Sequence, residues 1–203
     1  MKTSILTLIM IFAGMVLAQN NTGPVSGNNN SLINTFQLKD TTQKVAWREE
    51  VFDSKLKQTV NSMVINESYF AGVTDAEKAA LGYLATFIGN ECRQDGNNVQ
   101  CKILAALNLS YQCSETNKEF LKKWFANEPD LIAEIEACKT SSTAQSTFDR
   151  ITVITRDDVI KVKYSAMSAD VKDNKFEQWT EELTFSVSGD KLDLVKRIKK
   201  MKK

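Results

Sequence analysis

Histidine is absent from this 203-residue chain. That absence excludes Ser-His-Asp and Cys-His catalytic sets, HExxH metalloproteases and every metal site built on imidazole. P-loop, GxGxxG and GxSxG patterns are missing too, so no nucleotide or dinucleotide cofactor is expected. Charge of one sign is also lacking: 26 Lys plus Arg face 25 Asp plus Glu, a formal +1. A nucleic-acid partner normally requires a strong basic excess, so none is expected. What is present, 42% hydrophobic and 25% charged residues, is the composition of a globular protein with room for a real core.

The longest apolar run, Ile5 to Leu17, stands at the N-terminus behind Lys2, and Val16-Leu17-Ala18 puts small residues where a signal peptidase cuts. This three-part pattern predicts a secretory signal peptide over residues 1–18, cleaved after Ala18. A membrane anchor would need about twenty apolar residues, and Gln19-Asn20-Asn21 ends the run first. No Cys follows the cleavage point to carry lipid, and no later segment reads as a bilayer span. The expected location is secreted or periplasmic. Residues 19–40 begin with the Asn/Gly/Ser-rich stretch Gln19 to Ser31 and read as a flexible leader. Sequons at Asn20, Asn29, Asn66 and Asn108 are no more than random placement produces.

Export gives the four cysteines, Cys92, Cys101, Cys113 and Cys138, a structural meaning. An even number in an oxidising compartment is normally a disulfide set. Spacings of nine, twelve and twenty-five residues contain no CxxC, which disfavours zinc. A catalytic thiol lacks a His to activate it. Three pairings are open; Cys92–Cys101 across the Asp95-Gly96 turn, with Cys113–Cys138 clamping two helices, is preferred.

Residues 41–140 read as a helical region. Val45, Phe52, Leu56, Val60 and Met63 suggest one apolar stripe beginning near Thr41, with Trp47 in its first turns. Thr74-Asp75-Ala76-Glu77 is a capping box opening a central helix to about Gly89. A short apolar turn over Lys102 to Leu107 follows. Ser114 caps a further helix reaching Phe125, and Asn127 with Pro129 opens the last. After a polar linker the period falls to two. Ile151/Val153/Thr155, Ile160/Val162/Tyr164/Ala166, Leu183/Phe185/Val187 and Leu192/Leu194 each alternate with polar residues across residues 146–200. The expected fold is α+β: a disulfide-stapled N-terminal helical block on one face of a C-terminal four-stranded antiparallel meander. The closing Ser188-Gly189-Asp190-Lys191-Leu192-Asp193-Leu194-Val195 is similar to the last strands of cystatin-like and NTF2-like domains. That resemblance implies a pocket between sheet and helices, with no residue role to transfer.

Extending the parity of Leu183, Phe185 and Val187 backwards places Glu181 and Trp179 on the core side. A carboxylate there would suit a general acid; a bulge at Glu181-Glu182 is the competing reading. Trp179, Glu181 and Tyr164 form the candidate ligand pocket, and Glu181 is the one candidate catalytic group. The acid pairs Glu49-Glu50, Glu134/Glu136, Asp157-Asp158 and Glu181-Glu182 do not by themselves make a glycosidase. Asp170 to Glu177 lacks EF-hand spacing, so no metal is expected. Lys196 to Lys203 reads as a basic tail able to touch an anionic surface. Together these features point to an exported, non-enzymatic module binding a protein, glycan or small ligand. The alternative is a His-free hydrolase or lyase using Glu181 with a second carboxylate or Tyr164.

Overall fold

A computed structural model describes residues 42–88, 98–138, 144–170 and 175–202, all within one compact unit, Leu38–Lys203. The signal peptide, the leader, Cys92 and therefore the Cys92–Cys101 pairing lie outside the described residues. Strands β1 (Gln43–Asp53) and β2 (Gln58–Ile65) come first. Helices α1 (Glu67–Ala71), α2 (Asp75–Phe87), α3 (Val99–Ala106), α4 (Glu115–Trp124) and α5 (Pro129–Ala137) follow. Strands β3 (Ala144–Arg156), β4 (Val159–Asp170), β5 (Lys175–Ser188) and β6 (Lys191–Met201) close the chain. The sheet has six antiparallel strands in the order β2-β1-β3-β4-β5-β6.

The fold is therefore α+β, but the sheet is not a four-stranded meander and the helical block is not N-terminal. The segment expected as the first helix is the β1–β2 hairpin. Its stripe jumps seven residues from Val45 to Phe52, and the intervening positions include Trp47 and Val51, residues that favour strands. Asp53 breaks the run: its Oδ1 accepts hydrogen bonds from the Lys55 and Leu56 amides at 2.8 and 3.0 Å. Lys57 then turns left-handed, φ 54°, and the chain reverses. Pairing decides the outcome, because Ala46 sits opposite both Ile65 and Ile151, carrying Val45 and Ala46 into the core. Helix propensity yields to that tertiary burial.

The helices follow their local signals more closely. At α2 the capping box is complete, with the Glu77 amide donating to Thr74 Oγ1 at 3.3 Å and the Thr74 amide to Glu77 Oε2 at 3.0 Å. Ala79 to Ala85 are all buried, so α2 is the central helix. Ser114 caps α4 by accepting from the Asn117 amide. At α5 the N-cap is Glu128, not Asn127. The Glu128 side chain does not cap the helix; it accepts the Leu194 amide of β6 at 3.2 Å, tying helix to sheet. Cys113 and Cys138 are disulfide-bonded across α4 and α5, a closure worth about 2–4 kcal/mol. Tyr83, Phe125 and Phe185 meet with ring centroids 5.5–6.0 Å apart, joining α2 and the end of α4 to β5.

Candidate functional site

Two places on the sheet concentrate polar chemistry, one on each face. On the face covered by helices, β4 and β5 pair without interruption from Asp170↔Lys175 to Val159↔Ser186. No bulge falls at Glu181-Glu182 on that side. The strict alternation puts Tyr164 directly opposite Glu181 and Ala166 opposite Trp179, all four on the inner face. Glu181 is only 2% exposed. On its other flank β6 carries a bulge: the register shifts between Thr184 and Phe185, which lets Val195 stand out and turns Arg197 inward. Tyr164 Oη then donates to Glu181 Oε2, and Arg197 Nε donates to Glu181 Oε1.

The three predicted pocket residues do come together, but their chemistry is that of a brace. Both Glu181 oxygens are occupied, one by a phenol and one by a guanidinium, and neither partner is a second carboxylate. A buried charge satisfied by bonds on both sides is a joint between β4, β5 and β6. Burial, followed by the hydrogen bond to Glu181, pushes the Tyr164 hydroxyl well above the ordinary phenol range. Trp179 is buried beside this group, with the Lys199 ammonium 4.5 Å from its ring centroid. Arg197 was the residue that sequence parity missed, because the Val195 bulge inverts the inward set halfway along β6.

The opposite, outer face has no helix on it among the described residues. The run Lys196–Lys202, expected as part of a basic tail, instead forms the second half of β6 and the residue after it. Register places the outer residues in rows across four strands. One row is Thr152, Lys163, Glu182 and Ile198; the next is Arg150, Ser165, Thr180 and Lys200. A hollow of about 560 Å³ lies over them, bounded by Thr42, Arg150, Lys161, Lys163, Thr180 and Lys202 among others. A smaller one of about 260 Å³ shares Lys163, Thr180 and Glu182 and runs on to Ile198 and Lys200. Successive strands are spaced about 4.8 Å apart, so the β4 and β6 cations stand about 10 Å apart with Thr180 and Glu182 of β5 between them.

The charge of this groove is uneven. Arg150, Lys161, Lys163, Lys200 and Lys202 line it, and among the described residues none of them has a carboxylate within salt-bridge distance. Of the acids, Asp149 lies 3.6 Å from Arg48 Nε and Glu181 is bonded to Arg197 beneath the floor. Glu182 alone of the lining acids stands without an arginine partner. Edge strands commonly carry lysines to repel strand addition, which accounts for those on β6. It does not account for Lys161 and Lys163, which stand on an interior strand with no edge to guard. Arg150 in turn pairs in register with Trp47 of β1, placing an indole beside the groove.

Among the described residues no group of three or more His, Cys, Asp or Glu side chains could hold a metal ion, and no helix is long and apolar enough to cross a membrane. No protein family, curated protein or solved structure matches the chain, so the functional reading rests on its own geometry.

Proposed function

We propose that this chain is an exported, non-enzymatic binding module whose ligand is an acidic glycan seated in the groove on the outer face of the sheet. The leader pattern over residues 1–18 and the Cys113–Cys138 disulfide support export to an oxidising compartment. One observation carries the ligand class: cations from β3, β4 and β6, none with a carboxylate at salt-bridge distance among the described residues, share a hollow floored by Thr152, Ser165, Thr180 and the single acid Glu182. Lysines and an arginine supply long-range attraction to carboxylate or sulfate groups. Hydroxyls and the neighbouring Trp47 supply the short polar and apolar contacts that a sugar ring requires.

Titrating the mature protein with polygalacturonate and heparin, with neutral dextran as control, tests this reading. Binding to at least one of the two acidic polymers is expected, weakening as salt rises. Lys161→Glu/Lys163→Glu should weaken it at least tenfold, whereas Glu181→Gln should leave it unchanged. Equal binding by the charge-reversed protein would dismiss the groove. Release of reducing ends that depends on Glu181 would instead establish the hydrolase or lyase alternative.

A further inference from the structure

The two edges of the sheet differ in charge. The β2 edge, Gln58–Ile65, carries no charged side chain, whereas from Val195 to Lys203 every charged residue is a cation. β6 is the last strand in the order, so alternate residues turn their amides and carbonyls away from the sheet. The Lys202 amide donates to the Gln178 carbonyl at 2.8 Å, and the register runs unbroken from Trp179↔Met201 to Thr184↔Lys196. That phase points the backbone groups of Arg197, Lys199 and Met201 outward.

The near half of this edge is already closed. Glu128 Oε1 accepts the Leu194 amide at 3.2 Å, and Lys191 Nζ donates to the Lys123 carbonyl at 2.9 Å. The end of α4 and the start of α5 thus cover β6 as far as Leu194. Past the Val195 bulge, nothing among the described residues bonds the outward groups of Arg197, Lys199 and Met201. At about 3.4 Å per residue, this open stretch has room for a strand of about five residues. Cations stand on both sides of it. Lys196, Lys200 and Lys202 project from the outer face, and Lys199 from the inner one, against the Trp179 ring. Val195, 59% exposed, and Met201, 51% exposed, add apolar surface at either end.

An edge so charged repels a second copy of itself and any basic strand. An acidic strand meets the reverse: its backbone completes the free amides and carbonyls, and its carboxylates lie across from lysines. Glu128 shows within the chain that a carboxylate is accepted on this same line of outward amides. We propose that the open half of β6, Lys196–Met201, is a docking edge for an acidic peptide in extended conformation, which joins the sheet as a seventh strand. The site goes beyond the glycan groove. The groove presents side chains of the outer face, whereas the added strand uses the outward backbone and Lys199. Neither Lys196 nor Lys199 lines the groove.

The test is fluorescence anisotropy of the labelled peptide acetyl-Thr-Glu-Val-Glu-Glu-Val-Glu-Thr-amide, titrated with the mature protein. Binding that weakens as salt rises is expected. The same peptide with Gln in place of each Glu should bind at least tenfold more weakly. Methylating one alternate set of its amides should have the same effect, while methylating the other set is tolerated, because an edge bonds only every second residue. Lys196→Glu/Lys199→Glu should lose the acidic peptide at least tenfold, while it still unfolds cooperatively and keeps any binding to acidic glycan. Lys161→Glu/Lys163→Glu should keep the peptide. Failure of the wild-type protein to bind the acidic peptide would overturn the proposal. So would indifference to both methylation patterns, which means charge without strand addition, or loss confined to the Lys161→Glu/Lys163→Glu variant, which places the peptide in the groove. Dimerisation abolished by Lys196→Glu/Lys199→Glu would overturn it as well, by giving the edge to a second copy.

Discussion

Removing Arg197 from the Glu181 joint should cost more than any other surface substitution on β6, and the size of the loss follows from the asymmetry of the pair. The Glu181 side chain is 1% exposed and that of Arg197 is 52% exposed. Truncating one partner of a fully buried ion pair costs about 3–5 kcal/mol, because the survivor remains charged and dry. Here water can follow the departing guanidinium from the exposed side, so the penalty for Arg197→Met should fall to about 2–3 kcal/mol. Tyr164→Phe leaves the arginine in place but removes a bond to a charged acceptor, worth about 1.5–2 kcal/mol. The triple variant Tyr164→Phe/Glu181→Leu/Arg197→Met removes all three members of the joint at once, leaving only the buried Trp179 Nε1 beside it. Its stability should return to within about 1 kcal/mol of wild type, since an apolar replacement strands nothing. Urea unfolding reads all three, with midpoints that shift while the slope stays constant. In a protein of this size, 2–3 kcal/mol appears as a fall of about 5–10 °C in Tm. The reasoning fails if Arg197→Met is neutral, or if the triple variant is the least stable of the set.

Two further perturbations probe the core. Gly82 lies in mid-helix on α2, where a Cβ would stand 2.8 Å from Leu109 Cδ1 and 3.4 Å from Leu121 Cδ2. Ala gains about 1 kcal/mol in helix propensity but forces the buried Leu109 aside, so Gly82→Ala should be destabilised by about 1 kcal/mol net in thermal unfolding; a stabilised variant would show that Leu109 yields freely. Burial raises the hydroxyls of Tyr69, Tyr83 and Tyr164 above their ordinary value of 10. The folded protein then holds protons that the unfolded chain has released, so stability should be level below pH 10 and fall as pH rises beyond it, by about 1.4 kcal/mol per pH unit for each tyrosine. Alkaline unfolding followed at the phenolate absorbance should show these tyrosines ionising only with the loss of structure, and their free titration in folded protein would contradict this.

Legibility varied with how local each signal is. The capping box at Thr74, the Ser114 cap and the period-two alternation of β3 to β6 are written in neighbouring residues, and each appears where its pattern stands. The Cys113–Cys138 pairing was readable because two helices joined by a short turn bring their far ends together. The first element was misread because Val45, Phe52, Leu56, Val60 and Met63 satisfy a helical stripe only if the seven-residue gap after Val45 is ignored. Asp53-Ser54 was the turn signal that could have corrected it. Parity alone brings Tyr164 and Glu181 together, as the register does, but it does not bring Arg197 to them. Parity says which way a side chain points, but not that a bulge one strand away delivers an arginine to it. Lys161 and Lys163 were visible as alternating polar positions, and nothing along the chain says that Arg150 and Lys200 stand in line beside them.

Composition and order along the chain determined that this is an α+β protein, without imidazole chemistry, braced by sulfur and closed by alternating strands. Those properties depend on residue types and on spacings of two to four positions, which the backbone reads locally. Tertiary structure alone decided that β1 joins β3, that Glu181 is a joint, and that cations from three strands share one groove. Each depends on register between segments far apart in sequence. Register is set by which burial of Ala46, Ile151 and Glu181 satisfies the whole sheet at once, and no short window of sequence contains that condition.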